Sequence, residues 1–154
     1  MIASADTPPL IPPWATRARL KALCTGCGDC LAVCPEAILV AGRAGAPVLA
    51  LNGGACTFCG RCAEACAEDV FASTETRPWT LVADVGGSCL LSKGVTCQSC
   101  TDACDDAALT FAYRPGTAGE ILLDTEACTG CGACLGVCPA GAISLLEQME
   151  KVPA

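Results

Sequence analysis

Sixteen cysteines in a chain of 154 residues fall into four groups of four. Three groups read Cys-x2-Cys-x2-Cys-x3-Cys: Cys24, Cys27, Cys30 and Cys34; Cys56, Cys59, Cys62 and Cys66; Cys128, Cys131, Cys134 and Cys138. The remaining group, Cys89, Cys97, Cys100 and Cys104, has a longer first gap. Thiolate is a soft ligand, and this spacing is the one that holds iron–sulfur cubanes. At four thiolates per [4Fe–4S] cluster, the sixteen cysteines make four clusters with none left over. The chemistry to expect is one-electron transfer. Glycine in most of the short gaps lets the loops curl and turns backbone N–H groups toward sulfur.

Two other uses of cysteine compete with this reading. Eight disulfides would suit an exported chain, but residues 1–14 show no basic n-region, no continuous apolar stretch and no twin arginine. The chain is therefore expected to stay in the reducing cytoplasm, where disulfides are rare. Zinc sites usually pair two Cys-x2-Cys knuckles across a long loop, which is not the pattern here. Cys89 is the weakest ligand candidate, lying eight positions before Cys97. Read as a buried bystander it would leave one cluster short of a thiolate; read as a ligand it closes the count.

In this motif the fourth cysteine ligates the cluster held mainly by the partner motif. That gives Cys24, Cys27, Cys30 and Cys66 for a first cluster, and Cys56, Cys59, Cys62 and Cys34 for a second. A third uses Cys89, Cys97, Cys100 and Cys138, and a fourth Cys128, Cys131, Cys134 and Cys104. The pairing assumes that neighbouring motifs work together. Cys24 to Cys66 spans 42 positions and Cys97 to Cys138 spans 41, as two modules in series would. A nested arrangement, with the first motif paired to the last, is the alternative. Residues 24–35 and 128–139 match at 10 of 12 places, so the motifs are an internal repeat.

The expected fold class is α+β: two tandem bacterial ferredoxin-like modules, each with two cubane clusters and short hairpins. Domains are expected at 1–18, an N-terminal tail that could dock a partner; at 19–76, the first module; and at 77–154, the second. Arg77-Pro78-Trp79 breaks regular structure near the boundary. Short strands are expected around Arg19–Leu23, Ile38–Val40, Pro47–Leu51, Val70–Ala72, Val82–Val85, Leu109–Ala112, Glu120–Leu123 and Ile143–Leu146. Helical turns should follow Cys30, Cys62, Cys100 and Cys134, with Pro35 and Pro139 ending two of them.

The formal charge is −7, and histidine is absent. Four clusters, each −2 with its thiolates, would bring the total to about −15. Such a surface disfavours nucleic acid and favours a partner with a basic docking face. Without histidine, histidine-dependent triads and haem ligation are excluded, and no Gly-x-Gly-x-x-Gly or Walker loop is present. The chain reads as an electron carrier rather than an enzyme, with no membrane span. Asp29, Glu36, Glu64, Glu68, Asp69, Asp102, Asp105 and Asp106 crowd the motifs and would disfavour the reduced clusters. Arg61 and Lys93 are the basic residues closest to ligands. Trp14 follows Pro12-Pro13, and either packs back on the first module or serves as a docking anchor.

The Cys–Pro motifs resemble those of bacterial-type ferredoxins. Over nearly its whole length the chain resembles the NapF family, ferredoxin-type proteins of the periplasmic nitrate reductase system. The likeness lies in Pro12-Pro13-Trp14, in Cys24-Thr-x-Cys27, in Cys56-Thr-Phe-Cys59-Gly60 and in Cys128-Thr-Gly-Cys131-Gly132. It is most specific in the third motif, Cys89-Leu through Gly94-Val-Thr-Cys97-Gln-Ser-Cys100-x-Asp102-Ala-Cys104. Two positions depart from the family pattern: Ile11 stands where the tail usually has arginine, and Ala67 follows Cys66 in place of proline. The resemblance implies a cytoplasmic accessory protein that binds the molybdenum catalytic subunit before export, for maturation or reduction. Competing readings are an electron-relay subunit of a larger formate dehydrogenase or hydrogenase complex, and a scaffold whose clusters serve only to fold it.

Modules of roughly 65 residues bury too little surface to rely on an apolar core alone, so the clusters must supply order. Removal of iron should leave the chain largely unfolded. Circular dichroism before and after chelation checks this, and an unchanged spectrum would refute it.

Overall fold

The computed structural model describes residues 9–148. Residues 1–8 of the expected tail, and residues 149–154 at the end of the expected second module, lie outside the described residues. The chain divides into two compact units. The first comprises described residues 9–50 and 58–78; the second comprises Leu51–Thr57 and residues 79–148. Among the described residues, no helix is long and apolar enough to cross a membrane.

In the first unit, helix α1 (Arg17–Leu23) is followed by the short helix α2 (Asp29–Ala32), strands β1 (Leu39–Ala41) and β2 (Pro47–Leu49), and helix α3 (Arg61–Glu64). β1 and β2 form an antiparallel hairpin with Leu39 opposite Leu49 and Ala41 opposite Pro47. The α1 segment was expected to be a strand, and the structure corrects this. Arg-Ala-Arg-Leu-Lys-Ala-Leu is made of good helix formers, and the Thr16 hydroxyl caps it by accepting from the Arg19 N–H at 3.2 Å. The strand expected at Val70–Ala72 is reduced to one antiparallel bridge between Ala15 and Phe71.

The second unit contains β3 (Leu81–Val85), helix α4 (Ser99–Asp102), β4 (Leu109–Ala112), β5 (Glu120–Leu123), helix α5 (Ala133–Val137) and β6 (Ile143–Glu147). β4 and β5 repeat the hairpin of the first unit, with Leu109 opposite Leu123. In both hairpins the ladder gains one further bond: Ala50 N–H to Ile38 at 2.7 Å, and Asp124 N–H to Ala108 at 2.8 Å. β3 pairs antiparallel with β6, from Leu81 opposite Glu147 to Val85 opposite Ile143. This ladder ties the two ends of the second unit together, and it buries Leu81, Val82, Ala83 and Leu145.

The first unit joins its ends differently. Pro12 and Pro13 are fully buried and Trp14 is 6% exposed. The Trp14 N–H donates to Pro78 at 2.7 Å, the indole Nε1–H donates to the Thr76 carbonyl at 2.9 Å, and Ala72 N–H donates to the Trp14 carbonyl at 2.7 Å. Leu49 N–H donates to the Leu10 carbonyl at 2.9 Å. The indole meets Phe58 edge to face, ring centroids 6.4 Å apart. Both polar and apolar parts of Trp14 are thus used within the unit, and residues 9–15 act as its strap rather than as an exposed anchor. Removing the side chain opens a cavity and leaves the Thr76 carbonyl without this donor. Trp14→Ala should destabilise the first unit by about 3–5 kcal/mol, read by chemical denaturation of the iron-replete protein.

Candidate iron–sulfur sites

Each motif uses a tight loop and one turn of helix to set its cysteines. Gly28, Gly60 and Gly132 adopt left-handed φ and start α2, α3 and α5. Each helix then carries the third cysteine inward: Cys30, Cys62 and Cys134 are buried, as is Cys100 in α4. Cys27 and Cys59 are exposed, Cys128 is buried, and the other cysteines are half-buried. No disulfide joins any of the sixteen. Gly130 shows how closely the loop of the fourth motif is packed. A Cβ there would lie 2.4 Å from the Leu81 carbonyl oxygen, and φ is +71°. Phe58 holds the corresponding place in the second motif at φ +53°, where its ring contact with Trp14 offsets the strain.

A second repeat follows the motifs. The third residue after each fourth cysteine is left-handed: Ala37, Asp69, Ala107 and Gly141. The N–H groups of Ala37, Ala107 and Gly141 donate to the carbonyls of Cys34, Cys104 and Cys138, at 3.1, 3.0 and 3.1 Å. The turn reverses the chain after the last cysteine and sends it into the next element. Alanine and aspartate accept a conformation that costs roughly 1–2 kcal/mol each, so the fold requires this reversal.

The reversals bring distant cysteines together. One hollow of the first unit is lined by Cys24, Cys27, Cys30 and Cys66, with Pro47, Val70 and Phe71 among its apolar walls. Cys62 also lies near enough to Cys30 to act on its charge. In the second unit a hollow is lined by Cys89, Cys97, Cys100 and Cys138, with Val85, Ile121 and Ile143 beside them. Both linings suit a group that needs four thiolates and exclusion of water. Cys128, Cys131 and Cys134 lie together in the loop before α5 and in α5 itself, and Cys104 follows α4. Cys34 follows α2, and Cys59 and Cys62 flank Gly60 at the start of α3. Cys56 belongs to the Leu51–Thr57 segment of the second unit, where its N–H donates to the Cys131 carbonyl at 2.8 Å. Among the described residues, no three Cys, Asp or Glu side chains close on a single-ion site.

Burial, reinforced by neighbouring thiols, pushes Cys30 up to about 11 and Cys134 up to about 12; burial likewise raises Cys100. Without iron these thiols hold their protons at neutral pH, and binding must release them. Cys97 is the exception. Hydrogen bonds from the backbone and side chain of Ser99 hold it below the ordinary thiol range. The Ser99 Oγ lies 3.6 Å from Cys97 Sγ. Backbone donors reach two other sulfurs: Ala83 N–H to Cys128 at 3.4 Å and Ala142 N–H to Cys138 at 3.3 Å.

Arg61 and Lys93 are exposed, and Asp106 accepts from the Thr129 hydroxyl at 2.7 Å. Trp79 donates its indole N–H to the Thr129 carbonyl at 2.8 Å, which fixes the loop of the fourth motif. Two features escaped the sequence reading. One is Ser99, whose signal was the one Cys-x2-Cys gap before a third cysteine that lacks glycine, Gln98-Ser99. The other is an open groove lined by Gly86, Gly87, Cys89, Gly94, Arg114 and Glu120, with Arg114 and Glu120 ion-paired at 2.6 Å.

Repeated cysteine loops, paired hairpins and four-cysteine hollows define a ferredoxin-type iron–sulfur protein. The family of 4Fe-4S dicluster domains matches residues 23–70 and again 94–142. Two such domains hold four [4Fe–4S] clusters, in agreement with the sixteen cysteines. Ferredoxin-type protein NapF of Haemophilus influenzae is 43% identical over 142 residues, covering 90% of this chain and 81% of that protein. NapF of Escherichia coli K12 is 37% identical over 136 residues, covering 86% of this chain and 82% of its own. The chain belongs to the NapF family of ferredoxin-type proteins.

The second dicluster match begins at Gly94 and leaves Cys89 outside it, whereas the structure sets Cys89 in the wall beside Cys97, Cys100 and Cys138. Cys89→Ala should lower iron content by about one to four atoms per chain, depending on whether a three-iron cluster survives. Iron analysis with electron paramagnetic resonance checks this; full iron content would remove Cys89 from the ligand set.

Proposed function

We propose that this chain is a cytoplasmic electron-transfer accessory protein that binds the molybdenum catalytic subunit of periplasmic nitrate reductase before export, for maturation or reduction. The observation that carries the reading is likeness to NapF of Haemophilus influenzae over 90% of the chain. The acidic charge of −7, made more negative by the clusters, supports docking to a basic face of the partner.

In this reading the first cluster is held by Cys24, Cys27, Cys30 and Cys66, and the third by Cys89, Cys97, Cys100 and Cys138; the two hollows support these sets. The second uses Cys34, Cys56, Cys59 and Cys62, and the fourth Cys104, Cys128, Cys131 and Cys134, on the motif spacing. The assignment takes the modules in series, at residues 19–76 and 77–154, on the near-equal spans of the motif pairs. Clusters held by these cysteines would supply one-electron chemistry, and the side chains would hold them and exclude water.

An anaerobic pull-down tests the partner. Iron-replete protein should capture the unexported catalytic-subunit precursor from cytoplasmic extract, and cluster-free protein should not. Stable recovery of a different oxidoreductase in its place would overturn the proposal in favour of a relay subunit.

A further inference from the structure

The four motifs are not equivalent at the residue just before the third cysteine. That place holds Asp29, Arg61, Ser99 and Ala133 in turn. Only Ser99 has a hydroxyl, and it lies 3.6 Å from Cys97 Sγ. Where the other motifs have a left-handed glycine, Gln98 has φ −131° and ψ 10°. Ser99 is the first residue of α4, as Asp29, Arg61 and Ala133 are of their helices, and its side chain turns back to Cys97.

The polarity of the contact follows from chemistry. A thiolate bound to iron has no proton to give, so the serine O–H must donate and the sulfur accept. A donor to ligand sulfur favours the more negative, reduced state of a cluster and raises its potential. Backbone donors reach sulfurs of both proposed sets in this unit: Ala142 N–H serves Cys138 and Ser99 N–H serves Cys97, while Ala83 N–H serves Cys128. The serine hydroxyl is the addition. Asp102, three residues on in α4, acts in the opposite sense, but its carboxylate is exposed and its effect is screened by water, whereas the hydroxyl is in direct contact. Cys89, in the wall of the same hollow, also lines the open groove.

We infer that Ser99 tunes the third cluster, its hydroxyl making that cluster easier to reduce than the same four thiolates would without it. The inference rests on the proposed ligand set for that cluster. Ser99 is a positioning residue that acts through the Cys97 sulfur.

The test is a redox titration of the intact four-cluster protein followed by electron paramagnetic resonance. Ala133 fills the corresponding place in the fourth motif, so Ser99→Ala should fold and retain its iron. Loss of the hydroxyl should shift one midpoint to more negative potential, by up to about tenfold in the reduction equilibrium, or about 59 mV for one electron. Ser99→Thr, which keeps the hydroxyl, should restore the native midpoint. Iron content in Cys97→Ala checks the ligand set separately. Undiminished iron there would overturn the assignment of Cys97 itself. Reduced iron in Cys97→Ala together with unmoved midpoints in Ser99→Ala would overturn the tuning role alone.

Discussion

Water exclusion around four converging sulfurs is the constraint on which each unit depends. Three cysteines of a motif reach a common hollow by local geometry, but Cys66 and Cys138 come to theirs from far along the chain. The chain must therefore return to the loop it left. The hairpins β1–β2 and β4–β5, and the left-handed turns at Ala37, Asp69, Ala107 and Gly141, make that return. Regular structure is short because its task is to bring loops together. Each of the four motif helices is only four or five residues long, too short to persist without tertiary contacts.

The same constraint explains the placement of the apolar residues. Val70 and Phe71 serve both the core of the first unit and the wall of its hollow. Core and cofactor site share one surface, so packing defects and cluster loss are coupled. The raised thiols of Cys30, Cys100 and Cys134 follow from that sharing. Apolar walls that exclude water disfavour a bare thiolate, and iron compensates by supplying positive charge.

Much of this was legible in the cysteine spacing, because ligand geometry leaves few ways to arrange the intervening residues. The two hairpins and the separate strands β3 and β6 were legible too, since short β-branched and leucine-rich runs between turn residues have few alternatives at that length; the pairing of β3 with β6 was not. Helix α1 replaces the strand expected around Arg19–Leu23. The composition of residues 17–23, with Thr16 as cap, pointed to helix. The position of Trp14 was not legible, because Pro-Pro-Trp is equally apolar whether it faces a partner or the chain's own core. The choice is made by hydrogen-bond partners at Thr76 and Pro78, far away in sequence.

The two units reach similar hollows by different routes, and the differences locate their specialisation. The first closes its ends with a buried proline–tryptophan strap; the second uses a five-residue β ladder. The first takes three consecutive motif cysteines and one distant residue to its hollow. The second takes Cys97 and Cys100 from the motif, with Cys89 arriving through a short 3-10 turn, Leu90–Lys93. In the same motif Gln98 stands outside the left-handed region that the glycines occupy elsewhere, and Ser99 sets its hydroxyl 3.6 Å from Cys97 Sγ. Asp29, Arg61 and Ala133 hold no hydroxyl at that place. The longer gap and the serine are two departures of one motif from the repeat, and Cys89 and Ser99 line the same hollow.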